Sequence, residues 1–280
     1  MPIQARTVAF YNQGCRLNQS ETAIMTRHFE ESGFSVVDFK VPADIVVINT
    51  CTVTENGDSD ARRLVNKAVR TNPDTKVALV GCMAQIQKDK LLKWPNVTWV
   101  VGNADKMRLP AIVGDIDTAD GAVIAPKMDR KPFTLPTAGI DPKHCRANIK
   151  IQDGCDFYCA FCIIPFARGP ARSRQFDDCL KESRLLTESG HQEIVITGIN
   201  LGTYSDGDKG FIDVIDALED LPLLRRIRIS SIEPTTIPIP LIEKMADPES
   251  KVCNYLHIPI QSATDEVLGL MKRKYTLDEF

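Results

Sequence analysis

The chain has 280 residues, 43% apolar and 25% charged, which suits one large or two ordinary globular domains with a sizeable core. Its formal net charge of −3 excludes a global nucleic-acid signature, so an anionic partner would have to meet a local patch. No run approaches the roughly 18 apolar residues of a membrane span. The opening MPIQARTVAFYNQGC enters a strand-like run without a signal-peptide pattern, so a cytoplasmic location and no membrane partner are expected.

Residues 7–12 (TVAFYN) read as a short strand, followed by a helix over 19–32 that Gly33 closes. Residues 44–48 (DIVVI) form a continuous apolar run, as a buried parallel strand requires. A helix over 58–71, a strand at 76–80 (KVALV), a helix over 84–93 and a strand at 97–101 (VTWVV) follow. This alternation predicts a parallel sheet covered by helices over 1–114. Residues 115–143, rich in Gly, Pro, Asp and Lys, read as a linker. A second βα series occupies 144–280: strands at 147–151, 193–197, 225–230 and 254–258, with helices over 177–189, 210–220, 239–246 and 264–272. The fold class is therefore α/β, an N-terminal parallel-sheet domain followed by a partial βα barrel with its chemistry at the strands' carboxyl ends.

The nine cysteines are many for such a chain, and an odd count argues against complete internal pairing. Cys15, Cys51 and Cys82 each follow one of the first three predicted strands. Carboxyl ends of parallel strands carry the binding site in open α/β sheets, so three residues more than 30 apart in sequence are expected on one edge. Cys155, Cys159 and Cys162 form a CxxxCxxC loop after the first strand of the second series. Soft thiolates select iron–sulfur clusters, zinc or copper(I). Three ligands on a four-iron cube leave one iron open to substrate or cofactor. A zinc site would want a fourth Cys or His at motif spacing, and His144 and Cys145 lie upstream beyond a predicted strand, so the spacing favours a cluster over zinc.

Around the triplet, Phe161, Phe157, Tyr158 and Phe166 are candidates either to pack on a bound adenine or cluster or to close the barrel mouth. Gly198 permits close backbone approach, and Asn200, Ser230, Ser231, Glu233 and Gln261 follow predicted barrel strands, where polar groups suit an amino acid, ribose or adenine. Arg168, Arg172 and Arg174, with no acid between Cys162 and Phe176, form a local basic patch, read either as a solvated loop or as a nucleic-acid contact. His257 reads as a core histidine, and Cys179 and Cys253 as structural.

The segment Lys150–Arg174, KIQDGCDFYCAFCIIPFARGPARSR, resembles the signature of radical S-adenosylmethionine methylthiotransferases. So do GCRLNQSET (14–22), NTCTVT (49–54), GCMAQ (81–85), TGINLGTY (197–204), RIRISSIEP (226–234) and HIPIQSATDEVL (257–268). The resemblance implies two [4Fe-4S] clusters, one on Cys155, Cys159 and Cys162 that cleaves S-adenosylmethionine to a 5′-deoxyadenosyl radical, and an auxiliary one on Cys15, Cys51 and Cys82 implicated in sulfur delivery. Phe161 beside the triplet and Gly198, Asn200, Ser230, Glu233 and Gln261 at strand ends stand as the candidate cofactor contacts, and a tRNA substrate gives Arg168, Arg172 and Arg174 phosphates to contact. The wording CIIPFARGPARSR and GCRLNQSET is most similar to the branch that thiomethylates C2 of N6-threonylcarbamoyladenosine at tRNA position 37. Sister branches act on isopentenyladenosine in tRNA or on a ribosomal-protein aspartate, and a non-catalytic iron–sulfur or zinc protein is the reading from another class. The implied partners are tRNA, an electron donor of flavodoxin or ferredoxin type, and a sulfur donor of unknown identity. Family members continue through a six-unit barrel into a small β-rich RNA-binding domain. This chain ends at Phe280 after four predicted units, so an incomplete barrel and weakened RNA affinity are expected.

Overall fold

A computed structural model describes residues 6–52, 57–114, 121–136 and 146–280. The chain divides into two compact units. One comprises Met1–Met128 with Pro136–Gly139 and Phe166–Arg168; the other comprises Asp129–Leu135, Ile140–Pro165 and Gly169–Phe280. No helix of the described residues is long and apolar enough to cross a membrane.

The first unit is built in chain order from β1 (Thr7–Asn12), α1 (Arg16–Glu31), β2 (Ser35–Val37), β3 (Ile45–Thr50), α2 (Gly57–Thr71), β4 (Lys76–Gly81), α3 (Cys82–Gln87), α4 (Asp89–Leu92), β5 (Val97–Val101), α5 (Leu109–Val113) and β6 (Ala122–Ile124). All six strands are parallel, in the order β2-β1-β3-β4-β5-β6. Alternate residues of β3 serve opposite faces, as the two-residue period of a strand demands. Ile45 and Val47 pack with Met25 and Phe29 of α1 and Leu109 and Val113 of α5. Val46 and Ile48 pack with Ala61 and Val65 of α2, Met83 of α3 and Leu91 of α4. The sheet is thus buried on both sides, which explains why its strands read as continuous apolar runs.

Two strands of this sheet depart from the sequence reading. β2 is a three-residue edge strand, and β6 lies inside 115–143, the stretch expected to be a linker. β6 completes the sheet by pairing Trp99 with Ala122 and Val101 with Ile124. The helix expected over 84–93 is two helices, α3 and α4, broken at Lys88, whose φ is +46°.

The second unit contains β7 (Arg146–Lys150), β8 (Gln152–Asp153), α6 (Ile164–Arg168, of which the first unit claims the last three residues), β9 (Arg172–Ser173), α7 (Phe176–Glu188), β10 (Glu193–Thr197), β11 (Ser205–Asp206), β12 (Lys209–Gly210), α8 (Phe211–Glu219), β13 (Arg226–Ile229), α9 (Ile239–Ala246) and α10 (Asp265–Leu270). β7, β10 and β13 form a parallel sheet in the order β13-β10-β7. Ile149, Ile194, Ile196, Ile227 and Ile229 pack there with Cys179 of α7, Val214 and Leu218 of α8 and Leu241 of α9.

The fourth strand expected at 254–258 is absent. The chain touches β13 only two residues earlier, through a parallel bridge between Ile227 and Val252. The Ile227 N–H donates to the Lys251 carbonyl at 2.8 Å and the Cys253 N–H donates to the Ile227 carbonyl at 2.9 Å. Beyond it Asn254, Tyr255 and His257 face solvent, and Pro259 offers no donor to a ladder. The expectation of a core histidine at His257 fails with the strand that was to bury it.

Candidate functional site

In the first unit the strand order 2-1-3-4 reverses direction between β1 and β3, and the crevice outside such a reversal is where open α/β sheets bind ligands. Asn12 of β1 is in register with Asn49 of β3, and Thr50 of β3 with Gly81 of β4. Cys15, Cys51 and Cys82 therefore follow three neighbouring strands at the same edge, as their spacing predicts. The approach is close: a Cβ on Gly14, at φ +138°, would lie 2.9 Å from the Cys51 Cβ. Cys15 is exposed, Cys51 half-buried and Cys82 buried, so the edge opens to solvent on one side. The Cys15 thiol lies 3.7 Å from Asn18 Oδ1, and Asn103 Nδ2 lies 3.6 Å from the Cys82 sulfur.

Behind these thiols lies a buried polar shell that spacing did not reveal. Asn18 Nδ2 donates to the Thr50 carbonyl at 3.1 Å, and Asn49 Nδ2 to the Asn18 carbonyl at 3.0 Å, so the two asparagines tie α1 to the ends of β3. Lys106 and Arg168 both pair with Glu21. The Asn-Gln-Ser-Glu wording of residues 18–21 carried the signal, since a Glu whose helix neighbours are buried needs a cation.

In the second unit the CxxxCxxC loop is clamped from below. Gln152 donates through Nε2 to the carbonyls of Asp153 and Gly154 at 3.0 and 2.9 Å, and its Oε1 accepts from the N–H groups of Ile199 and Asn200 at 2.8 and 3.0 Å. Asp153 is buried between Lys150 Nζ at 2.7 Å and Arg172 at 3.0 Å. Gly154 is at φ +70°, and a Cβ there would run into the carbonyl oxygens of Gly169 and Pro170. The Cys155 N–H donates to Gly169 at 3.1 Å, and the Ala160 N–H donates to Met271 at 2.9 Å. A cavity of about 280 Å³ opens beside Cys155, lined by Asp156, Phe157, Arg172, Thr203 and Ser205.

Burial, reinforced by the neighbouring Cys162 and Cys159 thiols and opposed by the Phe157 N–H, pushes the Cys155 thiol up to about 11. Burial raises Cys162 as well. Thiols crowded in this way are poorly placed to ionise alone, and a bound metal takes the place of the proton. Among the described residues no three His, Cys, Asp or Glu side chains converge closely enough to hold a single metal ion. A four-iron cube spreads its thiolates over separate irons, so its ligands need not meet at one point.

Asn200 and Glu233 come together: the Glu233 N–H donates to Asn200 Oδ1 at 3.3 Å and the Thr236 hydroxyl donates to it at 2.8 Å. Asn200 Nδ2 is left buried with no partner among the described residues. Glu233 pairs with Arg273, whose Nη1 lies 3.2 Å from the Cys159 sulfur and whose Nε is also buried and unpartnered. Sequence reasoning missed Arg273, an arginine in a polar MKRKY run with no spacing to mark it. Gly198 packs on Gln152 and Leu201, and Ser230 follows β13 directly, its N–H donating to the Ile196 carbonyl. Phe161 and Gln261 are exposed, Phe161 at 52%.

The basic patch is not a patch. Arg168 and Arg174 are each 1% exposed. Arg168 reaches Glu21 and Asn18, Arg174 pairs with Asp178 and Glu182, and Arg172 faces Asp153. Arg168 and Arg174 are thus committed to carboxylates of the fold rather than displayed on the surface, while Arg172 is half-buried. Cys179 is buried on α7, as expected for a structural cysteine, and Cys253 is half-buried.

Residues 7–102 match the model of the "Uncharacterized protein family UPF0004", and residues 149–280 that of the "Radical SAM superfamily". The chain is 38% identical, over 98% of its length, to the threonylcarbamoyladenosine tRNA methylthiotransferase MtaB of Bacillus subtilis, of which it spans 62%. It is 34% identical to MtaB of Aquifex aeolicus, covering 98% of the chain and 67% of that protein. With the tRNA-2-methylthio-N(6)-dimethylallyladenosine synthase of Thermodesulfovibrio yellowstonii the identity is 30%, over 99% of the chain and 64% of that protein. The fold is similar to that of the radical S-adenosylmethionine methyltransferase TsrM from Kitasatospora setae, with a TM-score of 0.65 at 15% identity, covering 98% of the chain and 64% of that structure. On these matches the chain belongs to the radical S-adenosylmethionine methylthiotransferase family.

Proposed function

We propose that the chain is the cluster-bearing part of an enzyme that adds a methylthio group to C2 of N6-threonylcarbamoyladenosine at position 37 of tRNA. The observation that carries this reading is the presence of two separate three-cysteine sets. One is gathered at the carboxyl edge of a parallel sheet, and the other is clamped in a loop after the first strand of a second parallel sheet. In this reading Cys15, Cys51 and Cys82 hold one [4Fe-4S] cluster, and Cys155, Cys159 and Cys162 hold another beside S-adenosylmethionine. The donor sets fit: each offers three cysteine sulfurs outside any disulfide, and three ligands on a four-iron cube leave a fourth position open. When bound, the second cluster with S-adenosylmethionine supplies hydrogen abstraction, and the first supplies sulfur chemistry.

The chain's own residues bind and orient. Gln152 and the buried Lys150–Asp153–Arg172 group keep the thiolate loop in one conformation. Arg273 places a positive charge and a donor beside the Cys159 sulfur. The unpartnered Asn200 Nδ2 and Arg273 Nε are buried donors suited to the acceptor atoms of an amino-acid or ribose group. The partners in this reading are tRNA and a flavodoxin- or ferredoxin-type reductant. The identity to the Bacillus and Aquifex MtaB proteins supports threonylcarbamoyladenosine over the dimethylallyl nucleoside.

Mass spectrometry of tRNA nucleosides from a strain deleted for the gene tests the substrate. Loss of 2-methylthio-N6-threonylcarbamoyladenosine, restored by complementation, is expected. Loss of the methylthio dimethylallyl nucleoside instead would assign the sister activity, and an unchanged profile of both would overturn the reading.

A further inference from the structure

Asn103 sits just past β5 in the first unit, buried, and its two amide ends are distinguishable. Lys106 Nζ lies 2.8 Å from one of them, Oδ1, and also pairs with Glu21. An ammonium has donors only, so the end it touches must be the oxygen. The other end, Nδ2, then lies 2.7 Å from the Ala167 carbonyl and 3.6 Å from the Cys82 sulfur. The backbone is fixed as well. The Asn103 N–H donates to Gln85 Oε1 at 3.1 Å, and Gln85 Nε2 donates to the Pro126 carbonyl at 2.8 Å.

Cys15 meets the opposite chemistry. Asn18 Nδ2 donates to the Gln13 and Thr50 carbonyls, and Arg168 donates to Asn18 Oδ1 at 2.6 Å. An oxygen therefore faces the Cys15 sulfur at 3.7 Å. A donor at one thiol and an acceptor at the other is not what packing alone requires. A buried Lys–Glu pair is also weak evidence for a stabilising role, because apolar replacements of such pairs are often neutral.

We propose that Asn103 is a positioning residue that gives an N–H···S bond to Cys82 and, oriented by Lys106 and Gln85, raises the reduction potential of the iron–sulfur centre on Cys15, Cys51 and Cys82. The proposal rests on the reading of those cysteines as ligands. The physical reason is that a reduced centre carries one more negative charge, shared by its sulfurs. A donor aimed at a ligand sulfur therefore stabilises the reduced form more than the oxidised one.

The test uses the full chain carrying Cys155→Ala, Cys159→Ala and Cys162→Ala, reconstituted anaerobically with iron and sulfide and titrated with mediators under electron paramagnetic resonance. Asn103→Leu removes the donor without adding charge and is expected to shift the midpoint to more negative potential. Asn103→Asp replaces the donor by an acceptor while keeping the Lys106 contact, and is expected to shift it further. Lys106→Gln retains a donor to Oδ1 and is expected to stay near the parent. Midpoints of Asn103→Leu and Asn103→Asp equal to the parent's, with iron content intact, would overturn the proposal while leaving the ligand reading in place. Iron loss in these variants with no change in the midpoint of the remaining centres would assign Asn103 a structural role and also overturn it. A parent that takes up no four-iron centre would overturn the ligand reading and the proposal together.

Discussion

Arg273 donates to the Cys159 sulfur and pairs with the half-buried Glu233, so its removal both takes a donor from that sulfur and leaves a carboxylate without a cation. Outer-shell groups of this kind are worth roughly 10–100-fold in metal affinity or activity. Arg273→Met is expected to lower 5′-deoxyadenosine formation by about that factor, measured by mass spectrometry after anaerobic reduction. Arg273→Lys should recover only part of it, because an ammonium cannot span the sulfur and the carboxylate as a planar fork does. Gly154 sets a second residue-scale limit. At φ +70° and against two carbonyls, Gly154→Ala is expected to cost about 1–3 kcal/mol, read as a lower thermal midpoint of the metal-free chain. Of these two positions, Gly154 was visible in the sequence as part of the thiolate loop. Arg273 was not, since one cation of the MKRKY run after a helix has no spacing that ties it to a cysteine more than a hundred residues earlier.

Elements long enough to carry a period were legible, and short ones were not. β3, β4 and β10 read correctly because both faces are buried and each carries three or four consecutive apolar residues. β6 offers three half-buried residues inside a Gly- and Pro-containing stretch, and what makes it a strand is the free edge of β5 rather than any pattern of its own. The segment after α9 shows the converse. Its apolar residues suggest a strand, but apart from the single bridge to β13 it is held by Glu219 at the end of α8, which accepts from Lys244 Nζ of α9 at 2.6 Å, the Ser250 hydroxyl at 2.5 Å and the Lys251 N–H at 3.0 Å. Burial works against ionising Glu219, yet these donors outweigh it and hold the carboxyl below the usual carboxylate value of 4.5. The contribution is therefore present above the unfolded-state value and is lost as pH falls through the lower folded-state value. Glu219→Gln is expected to destabilise the chain by about 1 kcal/mol at pH 7, a figure kept small because the site is partly solvated. The difference from the parent should vanish in strong acid, as urea unfolding at the two pH values would show.

For the molecule as a whole, the cysteines were the most legible feature and the arginines the least. Spacing placed Cys15, Cys51 and Cys82 on one sheet edge because strand ends of a parallel sheet align whatever lies between them. It placed Arg168, Arg172 and Arg174 on the surface because charge without a nearby acid reads as solvated. Their partners Glu21 and Asp153 come from other elements, and those of Arg174 from the helix that follows it. Two sites with separate supports predict separable chemistry. The triple variant Cys15→Ala, Cys51→Ala, Cys82→Ala is expected to keep about half the iron and to go on forming 5′-deoxyadenosine. The triple variant Cys155→Ala, Cys159→Ala, Cys162→Ala is expected to keep about half the iron and form none. Iron determination and product analysis on the same samples decide it. Complete iron loss in either variant, with its fold intact by circular dichroism, would overturn the assignment of the remaining three cysteines as an independent ligand set.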